Sequence, residues 1–130
     1  MFLNSMKDDE KERFLELAYK MARIDGNYAE EEDEIISSYK AELGIDNIGD
    51  TGSIDELIDF FANRNESVKK IVFFEIYGMI CADNKIEKSE EKIFEKIKIK
   101  FAISKEIVNQ IIQVADELQS VYDKLYDILE

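Results

Sequence analysis

The chain has 130 residues, 45% of them hydrophobic, which suits one domain with a single core spanning 1–130. Seventeen Lys and Arg stand against 30 Asp and Glu, and the net charge of −13 repels phosphate backbones and anionic headgroups, which argues against nucleic acid or membrane insertion. With no histidine and one cysteine, a tetrahedral zinc centre and Cys–His or Ser–His catalysis lack their ligands and bases.

Residues Met1 to Glu10 have no apolar signal core, since Lys7, Asp8, Asp9 and Glu10 interrupt it. The apolar run from Ile71 to Ala82 contains Glu75 and is shorter than the roughly 20 residues of a membrane span. It also holds the single cysteine, Cys81, expected as a buried free thiol. These features lead us to expect a cytoplasmic chain.

The sequence lacks proline, and its apolar spacing predicts an all-α domain of about six helices. Phe14, Leu17, Ala18, Met21 and Ala22 form one face of a first helix, from about Asp8 to Ile24, stopped by Asp25-Gly26. The second opens on the acidic run Glu30 to Glu34, which suits the positive end of the helix dipole, and ends at Gly44. After a glycine-rich loop, Ser53 and Glu56 have the spacing of a capping box, and Ile54, Leu57, Ile58 and Phe61 face inward. A fourth helix, about Glu66 to Ala82, is apolar nearly all round and is expected at the centre. Ile93, Phe94, Ile97 and Phe101 line the fifth, where Lys85 to Lys105 interleaves lysine with glutamate as a solvated face. Ser104 caps the sixth, with Ile103 and Val108 spaced as a hydrophobic staple.

The last helix carries Leu118, Val121, Tyr122, Leu125, Tyr126, Ile128 and Leu129 in a wide stripe. Such a stripe packs on its own domain, or, where its far end projects, offers a patch for a protein partner or a homodimer.

Offsetting the chain by 58 residues aligns Tyr19, Met21 and Asp25 with Tyr77, Met79 and Asp83, and, without a gap, Glu32 with Glu90, Asp33 with Glu91 and Ile35 with Ile93. Two copies of one unit, about 12–43 and 70–101, explain this: a helix ending in Asp, a turn at Gly26 or Asn84, an apolar residue, then an acidic helix start. The acids have two readings. Asp25 and Asp83 can bond backbone N–H groups of their turns while Glu32 and Glu90 complement helix dipoles. Alternatively, each Asp–Glu pair supplies hard oxygen ligands for Ca²⁺ or Mg²⁺. An EF-hand is excluded, because counting from Asp25 puts Glu30 where the loop needs Gly and Ile36 where it needs Glu.

The phrase Ala22-Arg23-Ile24-Asp25-Gly26-Asn27-Tyr28 through Glu32, and its echo at Ala82-Asp83-Asn84-Lys85-Ile86 through Glu90, resembles the TerB-like family of tellurite-resistance proteins over about residues 12–103. That resemblance implies a compact helical domain with a duplicated helix-turn unit and a non-catalytic role in stress or tellurite resistance. It also implies acidic residues that bind a divalent cation, here Asp25, Glu32, Asp83 and Glu90, with Glu31, Asp33 and Glu91 beside them. Asn84 departs from the turn glycine, and Ala29 and Glu87 from the Ser or Thr cap, which leaves the helix starts more dependent on their acids. A carboxylate enzyme using such a group as Glu75 is the weakest alternative; a purely structural homo-oligomeric domain without metal is the closer one.

Overall fold

The computed structural model describes residues 2–24, 30–82 and 88–130, apart from the side chains of 30–32. A short 3-10 helix, Leu3–Ser5, precedes six α-helices: α1 Asp8–Ala22, α2 Glu30–Leu43, α3 Ile54–Ala62, α4 Glu66–Ile80, α5 Lys88–Phe101 and α6 Lys105–Leu129. Among the described residues there are no strands, so the all-α expectation holds.

The helix ends follow from local chemistry. Asp8, Asp9 and Glu10 occupy the first turn of α1, and the Glu10 carboxylate accepts the Lys7 backbone N–H at 2.8 Å. The capping box of α3 forms in full: Ser53 Oγ accepts the Glu56 N–H at 3.1 Å, and Glu56 Oε1 accepts the Ser53 N–H at 3.0 Å. Ser104 Oγ accepts the Ile107 N–H at the start of α6. Asn65 opens α4, its Oδ1 accepting the Val68 N–H at 2.9 Å. At the other end, α1 stops at Ala22 and α4 at Ile80, each two residues before the sequence-based estimate.

The duplicated unit is visible in these bounds. Moving α1 by 58 residues gives 66–80, the span of α4, and moving α2 gives 88–101, the span of α5. The equivalence extends to the residue after each second helix: Gly44 has φ +69° and Ala102 has φ +52°, both in the left-handed region that ends a helix. The Ile45 N–H reaches the Lys40 carbonyl at 3.1 Å in the first unit, and the Ala102 N–H reaches Ile99 at 3.3 Å in the second.

Each first helix of a unit is central. Helix α4 packs against all five other α-helices, and α1 against α2, α3, α4 and α5. Phe14, Leu17 and Met21 of α1 meet Val72, Phe73, Ile76 and Met79 of α4 in a core closed by Leu57, Ile58 and Phe61 of α3. Aromatic pairs tie each second helix to that centre: Phe14 meets Tyr39 edge-on and Phe73 stacks on Phe94, both at 5.0 Å between ring centroids. Ile103 and Val108 are both buried where the staple was expected.

Helix α6 departs from the rest. It packs principally against α4, and Val108 is its one buried residue. Twenty-five residues at about 1.5 Å each make a rod of about 37 Å. It outruns the body, and every residue from Val121 to Glu130 is exposed.

Candidate functional site

Of the four acids singled out in the sequence, Asp25 and Asp83 lie outside the described residues, and Glu32 lies in the first turn of α2 with its side chain outside them. Glu90 is described: it stands in the first turn of α5 and is only 2% exposed. Among the described residues no three carboxylate, thiol or imidazole groups converge as a metal-holding cluster. Carboxylate oxygens are the donors that Ca²⁺ and Mg²⁺ take, which is the donor type these four acids carry.

The residues that precede positions 25 and 83 have diverged. In the first unit the Arg23 guanidinium lies 3.9 Å from the Tyr19 ring centroid and pairs with Asp33 of α2 at 2.9 Å. This strap joins the end of α1 to the start of α2. In the second unit the equivalent of Arg23 is Cys81, and the equivalent tyrosine, Tyr77, donates to Asp116 Oδ1 of α6 at 2.9 Å. Desolvation first, then that hydrogen bond and the neighbouring Cys81 thiol, push the Tyr77 hydroxyl up. Cys81 itself is half-buried rather than buried, because α4 has already ended and its side chain lines an open cleft with Tyr77, Asp116 and Asp123. Tyr39, which donates to the Glu75 carbonyl at 3.0 Å, is held well above the usual phenol range by burial, then by the Glu75 and Glu42 charges.

Sequence reasoning missed the polar centre of the first unit, Glu16. This residue lies on α1 and is 1% exposed. Its Oε2 accepts Lys20 Nζ at 2.8 Å, the Thr51 N–H at 2.9 Å and the Gly52 N–H at 3.2 Å; its Oε1 accepts the Thr51 hydroxyl at 2.7 Å. Lys20 also donates to Asp50 and to the Gly52 carbonyl. Burial alone would push the Glu16 carboxyl up, but Lys20, the Thr51 hydroxyl and the two backbone donors outweigh it and lower the carboxyl from 4.5 to about 2. The cluster fastens the 44–53 loop onto α1. Only the Glu16–Lys20 spacing was visible in the sequence.

An apolar feature accompanies α6. A groove of about 490 Å³ runs between α4 and α6, lined by Phe2, Ile71 and Phe74 on one side and by Ile107, Ile111, Val114 and Leu118 on the other. Past the groove, Val121, Tyr122, Leu125, Tyr126, Ile128 and Leu129 are 41–78% exposed. The stripe seen in the sequence therefore packs on its own domain only at its beginning. Among the described residues no helix is long and apolar enough to cross a membrane.

No protein family's sequence profile matches the chain, and no curated protein matches it by sequence. A solved structure does: a tellurite resistance protein from Nostoc punctiforme superposes with a TM-score of 0.65 at 17% identity, covering 95% of this chain and 82% of that one. The shared feature is the fold, the TerB-like helical arrangement expected from the two turn phrases.

Proposed function

We propose that this chain is a non-catalytic TerB-like domain of the stress or tellurite-resistance type, which acts as a protein-interaction module by presenting the far end of α6. The observation that carries the reading is the projection of that end. A contiguous row of large apolar side chains, exposed on a chain of net charge −13, is a docking element rather than a packing one. The shared fold with the Nostoc tellurite resistance protein supports the stress or tellurite-resistance part of the reading. In dilute solution the parent should bind a hydrophobic dye through this end, and Val121→Glu/Leu125→Glu should remove that binding without lowering the melting temperature. Equal dye fluorescence from parent and variant would refute the reading.

A second reading adds a divalent cation, Ca²⁺ or Mg²⁺, held by Asp25 with Glu32 and by Asp83 with Glu90. It is favoured by the burial of Glu90, a carboxylate 2% exposed in the first turn of α5. Ligand linkage then stabilises the fold by about 2.7 kcal/mol when the free ion reaches 100 times its dissociation constant. The measurement is the melting shift in excess of sodium chloride at matched ionic strength, which Asp25→Asn/Asp83→Asn should abolish. Without that excess, the acids serve their turns and helix dipoles alone.

A further inference from the structure

We propose that α6 is a dimerisation helix: its projecting half lies antiparallel along α6 of a second copy of this chain, each copy filling the other's apolar groove. The proposal rests on the reading of this end as a docking element and names its partner.

Three features single out a second copy. From Ile107 through Ile111, Val114, Leu118, Val121 and Leu125 to Ile128, apolar residues recur at alternating spacings of four and three, the seam of a two-helix coiled coil. The seam does not stop where the body stops. Its first half lines the groove beside Phe2, Ile71 and Phe74, and its second half stands free, with Val121 52%, Leu125 45% and Ile128 77% exposed. A free half and an open half of the same seam are complementary under a two-fold axis. Leu118, Val114 and Ile111 then meet the partner's Val121, the partner's Leu125 and the partner's Ile128.

Charge selects the direction. Glu117 and Lys124 are exposed and occupy the same flank of the seam, one heptad apart. In an antiparallel pair this flank faces its own copy, so Glu117 meets the partner's Lys124, and the symmetry axis makes the contact twice. In a parallel pair the same two charges face the partner's Tyr122 and the partner's Leu129 instead. Asp116, Asp123 and Glu130, spaced by seven, fall on the side of α6 opposite the seam, which keeps three acids out of the contact. The antiparallel arrangement also places the two acidic bodies at opposite ends of the helix pair.

The test is the molar mass of the full chain by light scattering after gel filtration, over about 1 to 100 µM. The expected value is twice the 15.2 kDa chain mass. Lys124→Glu or Glu117→Lys alone sets like charges at both contacts and should raise the dimer dissociation constant on the order of tenfold. The double variant Glu117→Lys/Lys124→Glu should restore the parent value, which only a contact between these two positions does. Val121→Glu/Leu125→Glu should be monomeric with an unchanged melting temperature in dilute solution. A monomeric parent throughout the range overturns the proposal, as does a double variant no better than the singles. If the monomeric parent still binds the hydrophobic dye through α6, the docking reading stands with a different partner; if dye binding is absent too, both fall.

Discussion

Replacing Glu16 by Gln should cost this domain a large part of its stability, and the loss should depend on pH in a way that identifies its cause. The Glu16 carboxyl moves from an ordinary 4.5 to about 2 in the folded state. A fall of about 2.5 units at 1.36 kcal/mol each corresponds to about 3 kcal/mol. The folded value is the lower one, so the contribution is complete above pH 4.5 and disappears as the pH falls towards 2. The carboxylate is 1% exposed, so solvent screening reduces this figure little. Denaturant unfolding of parent and variant at several pH values isolates the residue, because the other acids titrate in both proteins. The difference should approach 3 kcal/mol at pH 7 and close towards zero near pH 2. A difference below about 0.5 kcal/mol at pH 7, or one of constant size across the acid range, would show that Lys20, Thr51 and Gly52 do not hold the charge as the geometry implies.

Ala102→Gly should raise stability by about 0.5–1 kcal/mol, since the left-handed conformation costs an L-residue about 1–2 kcal/mol and glycine's extra chain entropy offsets only part of that. Gly44→Ala should lower stability by a similar amount for backbone reasons alone, because an added Cβ would meet nothing within 4 Å. Both are read from thermal or denaturant unfolding. Asn65→Ala should cost about 1 kcal/mol through the lost cap on α4, and Asn65→Asp should retain most of that cap. Tyr39→Phe should cost about 1 kcal/mol while leaving the helical circular dichroism unchanged, because the hydroxyl's bond to the Glu75 carbonyl is lost and the ring stays packed on Phe14.

The sequence carried the helical frame because each helix advertises itself locally. Ser53 with Glu56, and Ser104 before Ile107, place helix starts within a few residues of the signal, and the 58-residue offset transfers the bounds of α1 and α2 onto α4 and α5. The inward positions of α1, α3 and α5 were equally legible, since Phe14, Leu57 and Ile97 sit where a 3.6-residue period puts them. The Glu16 cluster was not, because its partners Thr51 and Gly52 are 35 and 36 residues away and a carboxylate among apolar neighbours carries no mark of a distant donor. The exposure of α6 was left open for a related reason. Periodicity reports which face is apolar, but not how far the neighbouring surface extends, so Leu125 and Ile128 fitted a packed face and a projecting patch alike, and no core reaches them. Of the candidate ion site, only the burial of Glu90 was added.

The overhang of α6 also bears on its own secondary structure. A segment of about ten residues has little helical persistence in water by itself, and Val121, Tyr122, Tyr126 and Ile128 have only middling helix propensity. The body supplies the nucleus, so residues 121–129 propagate an existing helix at a balance near even and should fray whenever the seam is bare. Whatever covers Val121 and Leu125 shifts that balance along with its own binding. Helical ellipticity per residue and amide exchange in the last three turns should therefore respond to occupancy, while the amides of α1 and α4 report the stability of the body.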